Sequence, residues 1–357
     1  MHFAGFLLAV FSFIYSHSLP AESHQPIFES GQINPPHSRP ISEEKPKFSG
    51  IQFNCSAEEN AKLLGEFDKL FHEFGWTAPP LIKTLVNKKG TQLTFSLNTA
   101  DSDTSTIDLF QRNEFGIKAD LDPFTDRKGK TQNYEVASQK EIIASLLQHG
   151  RLSEFDKSFC TFEKFMEHVR LRQNIVKWGV RAMWSFPEDG VTKTNPKKWN
   201  EDWSLKPGVK SSDAIADAFI GDYNYEIGCT KACQKIMAQG ILDFFKNVKK
   251  DKAISEHLDT ITAPYPLDTM EMTVNGDSKK DMVKEGTLVD RHFKVPADHW
   301  VPGDWGWIKN PDDESAAENG LEGANIVYIG RGLFVVYYEN DHDRTYSVLY
   351  GCSASYG

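Results

Sequence analysis

Cys229 stands at a position where a thiol can do chemistry. It directly follows Gly228, and apolar side chains then recur at the spacing of one helix face, which predicts a helix that begins at the cysteine. The unpaired N–H groups and the positive end of the dipole at a helix start favour an anion, and therefore a thiolate. A thiolate at the edge of a core can attack a carbonyl carbon and carry an acyl group as a thioester. The alternative is an inert buried cysteine, which is a frequent state of the free thiol.

The acidic residue nearest to this cysteine is Glu226, three positions earlier and outside the predicted helix. Its carboxylate could fold back beside the sulfur and take part in proton transfer. It could equally accept hydrogen bonds from the first N–H groups of the helix and act only as a cap. The residues alone leave both roles open.

Hydrophobic spacing predicts the elements that must position the cysteine. Ser56 and Glu59 form a capping box in front of an amphipathic helix that Gly75 ends. Further helices are predicted over residues 138–148, 162–184, 212–220 and 229–245. Strands are predicted over residues 91–97, 106–110, 299–308, 324–330 and 333–338. Helices followed by strands indicate an α+β fold.

Length and charge exclude several classes of protein. The 357 residues correspond to about two domains at roughly 150 residues each. Lys and Arg number 40 and Asp and Glu number 50, so the net charge of −10 argues against nucleic acid or an anionic membrane surface as the main partner. Beyond the first fifteen residues no apolar run reaches the ~18 residues needed to span a bilayer. We therefore expect no stable membrane insertion of the mature chain.

The N-terminal segment predicts export. Residues 3–15 are apolar and have the length of a signal-peptide core, so residues 1–20 are interpreted as a signal peptide, with a buried N-terminal helix as the alternative. Residues 21–47 are rich in proline and polar residues and are interpreted as a linker. In oxidising surroundings, five cysteines leave at least one thiol without an intramolecular partner. We expect Cys229 to be that thiol.

Four motifs follow one another in the second half of the chain. They are EHVRLRQNIV at residues 167–176, YEIGCTKA at 225–232, PGDWGWIKNP at 302–311 and GANIVYIG at 323–330. In this order they resemble the bacterial spore-coat protein-glutamine γ-glutamyltransferases, which carry a Cys-Ala-Thr-Ala helix start, a Gly-Asp-x-x-Tyr-Phe-Lys-Asn-Pro strand and a Gly-Glu-Asn-Val-Ile strand. The resemblance covers residues 160 to 338 and extends, through that family, to the papain-like NlpC/P60 core.

The sequence departs from the family at the place of the base. The family's Gly-Glu-Asn glutamate, the partner of its cysteine, is replaced here by Ala324. Glu322 lies two positions earlier and, in an extended chain, faces the same side about 7 Å away, so it is a candidate replacement beside Glu226. If residue 324 is the place of the base, Ala324→Glu should raise acyl transfer by Cys229.

The resemblance implies a fold and a division into domains. It implies an α+β protein with a papain-like core of the NlpC/P60 type, in which the nucleophile Cys229 at a helix N-terminus packs on an antiparallel sheet. An accessory α+β domain is expected over residues 48–150, and the transglutaminase-like catalytic domain over residues 151–357.

The implied function is that of a secreted transglutaminase-like enzyme. Cys229 would attack a glutamine carboxamide and pass the acyl group to a lysine amine or to water, with Glu226 or Glu322 as the base. Such a reaction needs no metal and no organic cofactor. The expected partners are protein substrates with exposed Gln and Lys, and the oligomeric state stays open. The alternatives are a papain-like cysteine peptidase or amidase, and a non-catalytic binding protein that kept the fold and lost the base.

Overall fold

The computed structural model of the chain describes residues 50–98, 109–110, 112–126, 129–149, 152–187, 191–267, 299–309, 314–317, 323–335 and 345–347. The predicted signal peptide and linker lie outside these residues, as do Glu322 and Cys352. The strand predicted over residues 106–110 also lies outside them, apart from Leu109 and Phe110, which are helical.

Helices and strands alternate in the first part of the chain and separate in the last part. In chain order the elements are β1 (Gly50–Asn54), α1 (Ala57–Glu73), β2 (Ile82–Val86), β3 (Leu93–Leu97), β4 (Asp120–Thr125), β5 (Thr131–Val136), α2 (Gln139–Leu146), β6 (Leu152–Asp156), α3 (Phe162–Val180), α4 (Ser211–Ile220), α5 (Cys229–Asp243), α6 (Lys252–Thr262), β7 (Trp305–Lys309), β8 (Gly323–Gly330), β9 (Leu333–Val335) and β10 (Thr345–Ser347). The fold class is therefore mixed α+β, as predicted.

The chain divides into two compact units, each made of separate stretches. The first comprises residues 1–105, 146–165 and 272–299, and the second comprises residues 106–145, 166–271 and 300–357. This division differs from the boundary that was expected between residues 150 and 151. Residues 106–145 belong with the unit that contains Cys229, because the β4–β5 hairpin is tied to helix α3 by polar contacts.

Those contacts are made by two aspartates of strand β4. Asp120 accepts a hydrogen bond from Gln173 Nε2 (2.8 Å). Asp122 forms ion pairs with Lys177 and Arg181, and the Arg181 guanidinium also lies over the Phe124 ring. Strand β4 therefore carries acceptors for two donors of helix α3 and for Arg181, the residue after the helix ends.

The first unit is built on a four-stranded sheet in the order β2-β3-β1-β6. Strand β1 pairs antiparallel with β3 and parallel with β6. Helix α1 begins with the predicted capping box, since Ser56 and Glu59 bond reciprocally, and this prediction is confirmed. Phe67 of α1 packs against Phe53 and Phe95 of the sheet, with ring centroids 5.5 and 4.5 Å apart. A disulfide between Cys55 and Cys160 joins two segments of this unit.

Helix α5 in the second unit is buried along nearly its whole length. Every residue from Ala232 to Leu242 is buried, so this helix has no solvent-facing side there. A side chain at Gly240 would meet Ile175 of helix α3 within 3.0 Å, so glycine permits the close approach of the two helices. Asn174 of α3 donates to the Gly240 carbonyl (2.9 Å) and ties the helices at that point.

Strands β7 to β10 form an antiparallel sheet in the order β10-β9-β8-β7. Ile326, Tyr328 and Phe334 form an apolar cluster on it, against which Trp300 and Ala324 pack. The turn before β7 is held by Asp304, which accepts from the Val301 N–H (3.0 Å) and from Arg172 Nη1 of helix α3 (2.8 Å).

The turn between β8 and β9 is tied to helix α2. The Arg331 N–H donates to the buried Glu141 carboxylate, and the Arg331 guanidinium pairs with Glu135. Burial raises the pKa of Glu141 to about 7, although the Arg331 N–H and guanidinium oppose the shift. None of the helices in the described part of the chain combines the length and the apolar character needed to cross a membrane.

The disulfide makes a prediction about stability. It joins residues with a sequence separation of 105, so replacing Cys55 and Cys160 together with alanine should lower the free energy of unfolding by about 2–4 kcal/mol, because the unfolded chain gains conformational freedom. Denaturant unfolding followed by circular dichroism measures the change. Cys229→Ala serves as the control and should leave the midpoint nearly unchanged. Equal midpoints for the double variant and the wild type would contradict the prediction.

Candidate active site

Cys229 is the first residue of helix α5, and Gly228 is its N-cap. Among the described residues no side chain caps this helix start, which leaves its first N–H groups open to another acceptor. Cys229 is half-buried and takes no part in a disulfide. A sulfur at this point lies in the positive field of the helix start, where an anion is favoured.

The segment that leads into the helix is held by backbone pairing on two sides. The Ser185 N–H donates to the Tyr225 carbonyl (3.1 Å), and the Ile227 N–H donates to the Ser185 carbonyl (3.1 Å). Glu226 and Lys193 exchange both backbone hydrogen bonds, at 3.0 and 2.8 Å. The approach to Cys229 therefore has a defined backbone path.

The carboxylate of Glu226 is engaged by a lysine. Its two oxygens accept from Lys193 Nζ at 2.9 and 2.8 Å. Since the helix start has no side-chain cap, the capping role considered for Glu226 is not the one seen here. The position of Glu322, the other candidate base, lies outside the described residues.

Asn325 of strand β8 is the side chain that the structure brings to the sulfur. Its Nδ2 lies 3.6 Å from Cys229 Sγ and donates to Thr230 Oγ1 at 3.0 Å. Its Oδ1 accepts from the indole Nε1 of Trp305 on strand β7 (3.0 Å). Asn325 was not among the residues predicted from the sequence, where the resemblance points to its neighbour, Ala324.

Ala324 and Asn325 lie on opposite faces of strand β8, because successive side chains alternate across a strand. Ala324 packs against the cluster of Ile326, Tyr328 and Phe334. The face of Asn325 also carries Ile329, which bounds the space beside Gly179 of helix α3. The alternation of side chains along the strand predicts that Ala324 and Asn325 face opposite sides. Because both faces are apolar further along the strand, the pattern does not predict which face meets helix α5.

Within the described residues, the side chains that lie close enough together to hold a metal ion are those of Cys55, Glu59 and Cys160 in the first unit. Its two sulfurs form the disulfide, and Glu59 bonds to Ser56 in the capping box. This group is therefore already used for structure.

Helix α5 also carries a lysine in an aromatic environment. Lys235 is fully buried, and its Nζ has no hydrogen-bond partner among the described residues. The Nζ lies 4.0 Å from the ring centroid of Trp199, 5.1 Å from Tyr225 and 5.3 Å from Trp203. Burial lowers the pKa of Lys235 to about 7, a shift that Asp217 opposes and Lys231 increases.

A thiol at an open helix start, with a hydrogen-bond donor opposite it, is an arrangement suited to proteins that carry acyl groups on cysteine. The family comparison agrees with this class. The chain belongs to the protein-glutamine gamma-glutamyltransferase family, whose model matches residues 123–339. The resemblance expected from the four motifs is thereby confirmed, and the matched region includes Cys229 and Asn325.

Two further comparisons were made. A transglutaminase from Geobacillus stearothermophilus, solved without its C-terminal extension, is 20% identical, with 49% of this chain and 76% of that chain covered and a TM-score of 0.32. A search of curated proteins returned no significant match.

Lys235 makes a prediction about the pH dependence of stability. An unfolded lysine titrates near 10.5 and the folded one at about 7, so between these values the unfolded chain binds a proton that the folded chain does not. Stability should therefore rise with pH across this window and be lost as pH falls to about 7.

Replacing the amine with an apolar side chain removes this dependence. At pH 7, Lys235→Met should raise the free energy of unfolding by about 1–3 kcal/mol, because an unpaired polar group leaves the core. The gain should shrink as the pH rises toward 9. Denaturant unfolding at several pH values gives the two curves, and Lys252→Met, at an exposed lysine of helix α6, is the control. Parallel curves for Lys235→Met and the wild type would be inconsistent with a buried titrating amine.

Proposed function

We propose that this protein is a protein-glutamine γ-glutamyltransferase with Cys229 as its nucleophile. The observation that carries the proposal is the position of this thiol at the uncapped start of helix α5, with Asn325 Nδ2 at 3.6 Å. Family membership supports the coarse activity, an acyltransferase that acts on glutamine. The assignment of Cys229 as nucleophile is the proposal.

The reaction has two halves. The Cys229 sulfur attacks the carboxamide carbon of a glutamine side chain, the C–N bond breaks, and ammonia leaves with a proton taken from solvent, to which the thiol has given up its own. A lysine amine then attacks the thioester carbon, so an isopeptide bond forms and the thiol is restored. Water in place of the amine converts the glutamine to glutamate.

The open N–H groups at the helix start can stabilise the oxygen that becomes negative during attack. Such preorganised donors stabilise a tetrahedral intermediate more than the ground-state carbonyl. Since Gly228 offers no side chain to these N–H groups, they stay available to a substrate oxygen. No metal or organic cofactor enters this scheme.

Two other readings differ in how the thiol is used. A cysteine peptidase or amidase would use water as the acceptor of the acyl group. A non-catalytic binding protein would keep the fold without turnover, and one observation favours it: the side chain brought to the sulfur is an amide, which cannot accept the proton of the thiol.

The proposed substrates are proteins with exposed Gln and Lys, and the proposed location is extracellular. The location rests on the apolar residues 3–15, which have signal-peptide length. The Cys55–Cys160 disulfide supports it, because such bonds persist in oxidising compartments.

The first test is amine incorporation. The wild type should attach a fluorescent primary amine to a glutamine-rich protein, and Cys229→Ala should abolish the reaction. Cys233→Ala, one turn further along the same helix, is the matched control and should retain activity. Release of ammonia without amine incorporation would indicate hydrolysis. Retained incorporation in Cys229→Ala would remove the assigned nucleophile, and no turnover in the wild type would leave the binding protein as the better reading.

The second test concerns Ala324. Sequence reasoning expected Ala324→Glu to raise activity, whereas the packing of Ala324 against Tyr328 and Phe334 leads to the opposite expectation. The new carboxylate would lie on the apolar face, so stability should fall by about 1–3 kcal/mol without a gain in amine incorporation. Ala324→Met, which adds apolar volume at the same position, is the control for size. A clear gain in turnover with Ala324→Glu would mean that this face of the strand meets the substrate.

A further inference from the structure

Trp305 determines how the amide of Asn325 is oriented. The indole Nε1 of tryptophan is a donor with no acceptor capacity, so the atom of Asn325 that lies 3.0 Å from it must be the carbonyl oxygen Oδ1. The amide nitrogen Nδ2 is then turned toward Cys229 and Thr230. The usual ambiguity between the oxygen and nitrogen of an asparagine is thereby resolved by one donor.

Strand pairing brings these two side chains together. Trp305 pairs with Val327, and Asn325 pairs with Trp307, so Trp305 and Asn325 are diagonal neighbours on the β7–β8 ladder. Diagonal neighbours on one face are within reach of a long aromatic side chain. The contact therefore follows from the register of the hairpin.

Thr230 completes the arrangement on the helix side. Its hydroxyl oxygen accepts from Nδ2 at 3.0 Å, which holds the amide over the first turn of α5. The two hydrogens of Nδ2 can then serve Thr230 Oγ1 and Cys229 Sγ together. A donor aimed at sulfur stabilises the thiolate more than the neutral thiol, because the hydrogen bond is stronger to an ionised acceptor.

We propose that Trp305 and Asn325 are positioning residues for Cys229: the Trp305 indole orients the Asn325 amide so that its N–H group points at the sulfur and favours the thiolate. The thiol thus meets a hydrogen-bond donor from Asn325, the residue that follows Ala324. This proposal rests on the proposed role of Cys229 as the nucleophile.

The pH dependence of alkylation tests the proposal. The rate of iodoacetamide labelling of Cys229 follows the thiolate fraction, so its pH midpoint reports the stabilisation of that anion. Asn325→Ala should move the midpoint upward, because the thiolate loses a hydrogen-bond donor. Asn325→Asp, which keeps the shape and replaces the donor with a negative acceptor, should move it at least as far. Trp305→Phe, which removes the indole N–H, should move it upward by a smaller amount.

Trp300→Phe is the matched control, because it makes the same chemical change against the cluster on the face that carries Ala324. Its alkylation midpoint should equal that of the wild type. The proposal is overturned if Asn325→Ala and Asn325→Asp both keep the wild-type midpoint, or if Trp300→Phe shifts it as far as Trp305→Phe does. A shift with the Asn325 variants and none with Trp305→Phe would refute the orienting role of Trp305.

Asn325→Asp keeps the experiment decisive if Asn325→Ala fails to fold, since it preserves the volume of the side chain. Alkylation requires only the thiol and the reagent, so it also separates this proposal from the proposed function. If the wild type fails to incorporate amines while the midpoints shift as expected, the acyltransferase assignment fails and the positioning roles stand.

Discussion

The position of the thiol depends on the burial of the helix that carries it. From Ala232 to Leu242 every residue of α5 is buried, so this helix cannot rotate or slide without exposing apolar surface or creating a cavity. The close approach at Gly240 and the hydrogen bond from Asn174 further limit its position against α3. The first turn reaches the surface, and Cys229 begins that turn.

The same burial has a second consequence on this helix. Lys235 lies six residues after Cys229, where the helix is enclosed and aromatic rings replace water around the amine. The lysine therefore loses hydration, and its pKa falls to about 7. The packing that fixes the position of Cys229 at the helix start therefore also disfavours the charged form of Lys235 in the buried part of the helix.

Strand β8 brings the second side chain of the site, Asn325, and its two faces make different contacts. One face, with Ala324 and Tyr328, closes the apolar cluster of the sheet. The other face brings Asn325 to the first turn of α5. An amide differs from a carboxylate because it donates a hydrogen bond and takes up no proton. It can therefore stabilise a thiolate whose proton has passed to solvent, and the leaving ammonia takes its proton from solvent.

Much of the architecture, and the place of Cys229 at a helix start, could be predicted from local patterns. The capping box of Ser56 and Glu59, the helical spacing after Gly228 and the four ordered motifs depend on residues near one another in the chain, and they indicated the helices, the family and Cys229. Strands β1, β2 and β4 to β6 were missed, because short strands with polar residues have weak patterns.

The sequence by itself determined the class of fold and the place of Cys229 at the start of a helix, because side-chain spacing along one helix is a local property. The tertiary structure alone decided that Asn325 meets the Cys229 sulfur. Residues 324 and 325 are adjacent and face opposite sides of the strand. A shift of one residue in the strand register would exchange the sides that they face. That register is set by the pairing of Trp307 with Asn325 and by the burial of Tyr328, so it is a property of the packed sheet.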